Sequence, residues 1–250
     1  MMSSQEREAA LDLQHYWAVA ERDIEIQNPI TDRKLRLLDA YCDVRDGLRV
    51  LDVGCGKAWL MRQWAERFAI EGTGIEVNPQ FLEVARRETP ARGRLEFVDG
   101  PAEDFEPDRG FYDVVLCLGA SFALGGFVRA VEWMVDVAKP GGTIVIGDII
   151  LKHRPVVPVD YLLPNDAVET ISVIERHGAE ISAIISASDA DFERYAAHHR
   201  HATLVWGRAH PDHPEHTDVL QKSRADWVHY LQVIRPHLGW TIFVARSHDG

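Results

Sequence analysis

Asp52, Glu76, Asp99 and Asp148 each stand at or near the end of an apolar run, and the first is followed at once by Gly54 and Gly56. The stretch Arg49-Val50-Leu51-Asp52-Val53-Gly54-Cys55-Gly56-Lys57 reads as a strand buried on both faces that turns tightly into a helix. Ala58, Leu60, Met61, Trp64, Ala65 and Phe68 then follow with helical spacing. Glycine in such a turn accepts positive φ and presents no Cβ, so a ligand can lie against the backbone at the positive end of the helix dipole. This is the chemistry of a nucleotide-type cofactor site. A dinucleotide fingerprint needs a third small residue where Trp59 stands, and no G-x-x-x-x-G-K-[ST] run is present. Nicotinamide, flavin and nucleoside triphosphate are thereby disfavoured, while Asp52 suits a cofactor that carries a positive group.

The elements that must position these residues alternate between strand and helix. Glu76 lies 20 residues beyond Gly56 in Gly72-Thr73-Gly74-Ile75-Glu76, at the tip of a second strand, where an acid accepts hydrogen bonds from ribose hydroxyls. Asn78-Pro79 starts the helix that contains Phe81, Leu82, Val84 and Ala85. A third strand, Arg94 to Asp99, ends in Asp99-Gly100. The acid there can accept from the exocyclic amine of adenine, with the amides of Ala102 and Glu103 nearby, although Asp-Gly is also ordinary turn chemistry. The fourth strand, Tyr112 to Leu118, carries Cys117 and Leu118 to the small-residue loop Gly119-Ala120-Ser121-Phe122-Ala123-Leu124-Gly125-Gly126. In that loop Ser121 and Phe122 read either as acceptor contacts or as a capped helix start with a core aromatic. Lys139-Pro140-Gly141-Gly142 is predicted as a turn before a strand over Thr143 to Ile150. Asp148 at its carboxyl edge can take a proton from a bound acceptor, hold a cationic amine, or simply be solvated.

Further helices are predicted before and after this core. One spans about Glu6 to Ala20, and Thr31 caps another running to Tyr41. After a proline-rich crossover come a helix over Ala167 to Arg176, a strand over Ala179 to Ala187, helices from Asp189 and a last strand over Trp240 to Ala245. In the helix after Asp189, Arg194 and His198 share a face at i, i+4 and can line an acceptor pocket.

The acid-x-Gly-x-Gly run, with Ala58 at the third glycine, together with Glu76, Asp99, Leu118-Gly119-Ala120-Ser121, Lys139-Pro140-Gly141-Gly142, the Asn28-Pro29 corner and the ending Leu238-Gly239-Trp240-Thr241-Ile242-Phe243, resembles class I S-adenosylmethionine-dependent methyltransferases. Within them it resembles a bacterial group that acts on small molecules. The resemblance implies an α/β fold with a seven-stranded Rossmann-like sheet, mostly parallel with an antiparallel last strand and helices on both faces. It implies a helical lid over residues 1–45, then a methyltransferase domain over 46–250 with a helical insertion at about 189–237. It also implies S-adenosylmethionine as cofactor and S-adenosylhomocysteine as product. Asp52, Gly54 and Gly56 would hold the methionine end, Glu76 the ribose, Asp99 with Gly100 and Ala102 the adenine, and Cys117 and Leu118 would complete the cofactor contacts. The acceptor would be an oxygen, nitrogen or carbon nucleophile of a small molecule, with Asp148 as first candidate base and His198 as second. Base-amine methylation is disfavoured, because the N-P-P-Y or D-P-P-Y clamp is replaced by Leu118-Gly119-Ala120-Ser121. A catalytically silent S-adenosylmethionine-binding partner protein and, further off, a nicotinamide-dependent oxidoreductase are the rival readings.

Composition points the same way. The chain has 250 residues with 27 basic and 39 acidic side chains, a formal charge of -12, which repels nucleic-acid phosphates. Cys42, Cys55 and Cys117 lack metal-ligand spacing and read as free thiols of a reducing cytoplasm. The histidines of 189–237 lack H-E-x-x-H and an evident third ligand, so no metal is expected. Neither a signal core nor a membrane-length apolar run occurs, and a soluble cytoplasmic protein is expected.

Overall fold

The computed structural model describes residues 14–153 and 164–248. The first half of the helix predicted over Glu6 to Ala20 and most of the proline-rich crossover lie outside them. In chain order the elements are α1 (Gln14–Ala20), α2 (Asp32–Leu35), α3 (Leu38–Tyr41), β1 (Arg49–Val53), α4 (Trp59–Arg67), β2 (Glu71–Glu76), α5 (Pro79–Arg87), β3 (Arg94–Asp99), β4 (Tyr112–Leu118), α6 (Phe127–Val137), β5 (Ala138–Leu151), α7 (Ala167–Arg176), β6 (Ala179–Ser186), α8 (Asp189–Ala209), α9 (His216–His229), α10 (Arg235–His237) and β7 (Leu238–Ser247).

The strands form one sheet in the order β3-β2-β1-β4-β5-β7-β6. β1 to β5 pair in parallel and β7 runs antiparallel to both neighbours. Strand alternation divides the core by side-chain parity. Val50, Val114, Leu116, Val145, Ile242 and Val244 pack on one face with Met61 and Trp64 of α4. Leu51, Val53, Val115, Cys117, Ile144 and Ile146 pack on the other with Val131 and Met134 of α6. Both faces are therefore covered, which is why the central strands read as unbroken apolar runs.

Two sequence expectations are corrected in detail. Thr31 does accept from Lys34 N as an N-cap, but the helix it starts breaks into the short turns α2 and α3. Lys139-Pro140-Gly141-Gly142 falls inside β5 rather than before it; the register moves from Tyr112 opposite Ala138 to Val114 opposite Thr143, and Gly141 takes φ +68°. Elsewhere the caps act as the sequence requires. Asn78 caps α5 with Pro79 at its first position, and Asp166 with Glu169 closes a capping box on α7.

α1 packs away from the sheet. Tyr16, Val19 and Ala20 form a small cluster with Trp206 of α8 and Val219 of α9, so α1 and the helical insertion share one core. No helix among the described residues is long and apolar enough to cross a membrane.

Candidate functional site

The carboxyl ends of β1, β2 and β4 and the turn after β3 open into a cavity of about 730 Å³. Its opposite wall comes from α1, residues 21–28 and Tyr195 of α8. The floor is the glycine loop. Gly54 and Gly56 hold φ +67° and +55°. A Cβ on Gly54 would lie 2.3 Å from the Ala120 Cβ, and one on Gly56 would lie 2.1 Å from Gln27 Oε1. Ala58, where the motif has its third glycine, is also left-handed at φ +53°, a conformation that costs an L-residue roughly 1–2 kcal/mol.

Two carboxylates converge on this loop. Glu76 accepts from Gly56 N at 2.9 Å, Val77 N at 2.9 Å and Asn78 N at 2.8 Å, tying β2 to the loop of β1. Burial pushes its pKa up against those three hydrogen bonds. Asp52 is 5% exposed, and burial, with the charge of Glu76 adding to it, pushes its pKa up to about 8. A loop with glycine at 54 and 56, beside two acids whose pKa burial raises, fits a ligand with a cationic group and hydroxyls.

Of the residues singled out from sequence, Asp52, Gly54, Gly56, Glu76, Gly100, Ala102 and Leu118 line the cavity. Four do not. Asp99 is exposed at the end of β3, and the following turn, Gly100 to Glu103, supplies the wall instead. The Cys117 thiol is fully buried in the core face of β4 and its neighbour Leu118 faces the cavity, as alternation demands. Asp148 lies outside the lining; Ser121 donates its hydroxyl to one carboxylate oxygen and Ile149 N donates to the other at 2.7 Å, while burial raises the pKa. His198 is exposed, because one residue on a helix is a turn of about 100°. Phe122 is 68% exposed on the cavity wall, so the core-aromatic reading of that residue is wrong.

Sequence reading missed the wall opposite the glycine loop. Glu21, just past α1, is 5% exposed. Gln27 Nε2 donates to its Oε2 at 2.6 Å, the Tyr195 hydroxyl lies 2.6 Å from its Oε1, and His199 Nε2 lies 3.3 Å from the same oxygen. Gln27 also accepts from Lys57 N at 2.6 Å, and the Asn28 amide, in the orientation that satisfies it, donates to Gln27 O and Leu118 O. Lys57 Nζ donates to the carbonyls of Glu21, Arg22 and Ile24 at 2.8, 3.0 and 2.7 Å. The one available signal was the i, i+4 pair Trp17 and Glu21 in a predicted helix.

The histidine-rich insertion builds something else. His210, His213 and His216 pack around Trp206, joined by His15 of α1. His15, His213 and Glu215 bring ligand atoms within 4.8 Å of one another, and none of the three lines the cavity.

A family described as "Methyltransferase domain" matches residues 50–142, from β1 into β5. The chain is 26% identical over 248 residues to the uncharacterized protein YjhP of Escherichia coli, across 93% of this chain and 98% of that protein. It is similar to a crystal structure of a SAM-dependent methyltransferase from Geobacter sulfurreducens in complex with S-adenosyl-L-homocysteine. There the TM-score is 0.83 and the identity 26%, with 94% of this chain and 98% of that one covered. A shorter match, 29% over 141 residues, is to the ubiquinone biosynthesis O-methyltransferase of Leptothrix cholodnii, covering 55% of this chain and 60% of that one. Sheet order, glycine loop, second-strand acid and these likenesses agree: residues 50–142 match a methyltransferase domain, and the chain as a whole is similar to class I S-adenosylmethionine-dependent methyltransferases.

Proposed function

We propose that this chain methylates an oxygen, nitrogen or carbon nucleophile of a small molecule held between the glycine loop and the α1 wall. The observation that carries the reading is the convergence of Asp52, Gly54, Gly56 and Glu76 on one side of a cavity whose other side is built from distant segments. S-adenosylmethionine, when bound, supplies a methyl group already activated on a sulfonium. Asp52 and the loop backbone hold its amino-acid end, Glu76 its ribose, and the Gly100 to Glu103 turn its adenine. Residues 14–28 act as the lid that excludes water and orients the acceptor. With an activated leaving group in place, positioning in a dry site can supply roughly 7–11 kcal/mol of the barrier. A base is then an addition of about 10²- to 10⁴-fold at most, and neither Asp148 nor His198 lines the cavity to supply it.

Calorimetric titration with S-adenosylhomocysteine and, separately, NAD tests the cofactor. Saturable binding of the first alone is expected; binding of NAD alone would return the site to the oxidoreductase reading. Acceptor-dependent turnover then separates an enzyme from a silent binding protein.

The state of Asp52 gives a further expected result. With its pKa near 8 in the free protein, it is mostly protonated at pH 7, and a bound ammonium favours the ionised form. Binding of S-adenosylhomocysteine therefore releases a proton from Asp52. Affinity rises with pH, at up to about tenfold per unit below pH 8, and levels off above it. Titrations in buffers of different ionisation enthalpy measure that proton directly, and Asp52→Asn should abolish its release. A pH-independent affinity with no proton released would remove Asp52 from the cationic end of the ligand.

A further inference from the structure

Glu21 is a buried acid on a cavity wall, and buried charges in proteins are paired. Two neighbours give it hydrogen bonds, the Gln27 amide and the Tyr195 hydroxyl, while the His199 Nε2 stands 3.3 Å from Oε1 without hydrogen-bonding to it. The basic side chains nearby are committed elsewhere. Lys57 is taken up by three main-chain carbonyls, Arg62 by Glu25 and the Lys57 carbonyl, and Lys222, 5.4 Å from the Trp17 ring centroid, by Asp226. Among the described residues no lysine or arginine lines the cavity, whereas Glu21, Glu25, Asp52, Glu76 and Glu103 do. Asp52 and Glu76 belong to the cofactor cradle. The Glu21 carboxylate is joined to that cradle through Gln27, which bridges it to Lys57 N, and Glu21 stands one helical turn after Trp17 and beside Tyr195, both also in the lining. Aromatic rings next to a carboxylate form a setting in which a cationic nitrogen is held by ring quadrupole and counter-charge together.

We infer that this corner binds the acceptor through a protonated or quaternary nitrogen, with Glu21 as counter-charge and Trp17 and Tyr195 as its aromatic walls. The inference rests on the methyltransferase reading above, and it excludes acceptors whose recognition group is a carboxylate or phosphate. It concerns the group that is recognised, which need not be the atom that is methylated. Among the described residues His199 is the adjacent group able to supply a competing positive charge, and the test is arranged to expose that.

The protein is first saturated with S-adenosylhomocysteine, and this step alone decides whether the cofactor reading stands. The loaded protein is then titrated with three probes of matched shape: phenethylamine, 2-phenylethanol and phenylacetate. The amine should bind at least about tenfold tighter than the alcohol, and phenylacetate should show no saturable binding. In Glu21→Gln the preference for the amine over the alcohol should vanish while S-adenosylhomocysteine affinity stays within about threefold. In Trp17→Leu the amine should weaken by about three- to tenfold with the alcohol unchanged, so this variant decides if Glu21→Gln does not fold. Equal binding of amine and alcohol, or no binding of the amine, would overturn the inference. So would preferred binding of phenylacetate, which would show that a protonated His199 sets the charge of the corner. Loss of S-adenosylhomocysteine affinity in folded Glu21→Gln would also overturn it, by assigning the carboxylate to the cofactor.

Discussion

Gly54→Ala is expected to reduce S-adenosylhomocysteine affinity by about 100-fold or more and to lower stability at the same time. Two independent penalties meet at this position. The residue sits at φ +67°, where an L side chain costs roughly 1–2 kcal/mol. The new Cβ would also lie 2.3 Å from the Ala120 Cβ, and that atom is fixed to backbone at the start of the loop after β4. Either β1 or that loop must shift, and both form the floor of the cavity. Gly56→Ala is the informative comparison. Its Cβ meets the end of the Gln27 side chain, at 2.1 Å, and a flexible side chain can move. It should fold more readily than Gly54→Ala while still losing affinity, because the methyl projects toward the ligand side of the loop. Denaturant melts with matched calorimetry separate the two effects, and wild-type affinity in Gly54→Ala would refute the cradle.

Glu76→Ala is expected to lose about 10²- to 10³-fold in S-adenosylhomocysteine affinity. Each hydrogen bond to a charged group is worth about 1.5–3 kcal/mol, and ribose offers two hydroxyls. The same carboxylate already accepts from Gly56 N, Val77 N and Asn78 N, so its removal strands amides on both β-strand tips and loosens the loop. Glu76→Gln keeps one acceptor oxygen and should retain more stability than Glu76→Ala, with affinity in between. If Glu76→Ala bound the ligand as the parent protein does, the ribose assignment would fall, and the residue would be only the clasp between β1 and β2.

The glycine-loop side of the cavity was legible because its geometry is local. Asp52, Gly54 and Gly56 lie within one strand and turn, and Glu76 is reached by a single βαβ repeat, so spacing along the chain translates directly into position. Strand and helix identities followed from period-2 and helical patterns that the buried central sheet makes strong. The α1 side was not legible because it is assembled from segments far apart. Glu21 meets Tyr195 across 174 positions, and no local pattern encodes that meeting. Small angular errors had large effects: His198 points to solvent, while Tyr195 and His199 turn toward Glu21. Asp148 lies at the expected edge of the sheet, but Ser121 captures its carboxylate, a partner that sequence spacing does not reveal. Asp99 ends β3 with its side chain outward, and backbone after it does the lining.

Lys57 ties the root of α1 to the glycine turn. Its ammonium sits beneath the carbonyls of Glu21, Arg22 and Ile24, just past the carboxyl end of α1, where the helix dipole favours a positive charge. Gln14, the first described residue of α1, is joined to the sheet side by two neutral amide bonds, to Val77 O and from Asn78 Nδ2, each 3.1 Å long. Three charge-assisted bonds to a buried cation resist displacement more than two neutral ones near the surface. The anchor is thus carried by the residue directly after Gly56, and a disturbance of the glycine turn is felt at the root of the helix.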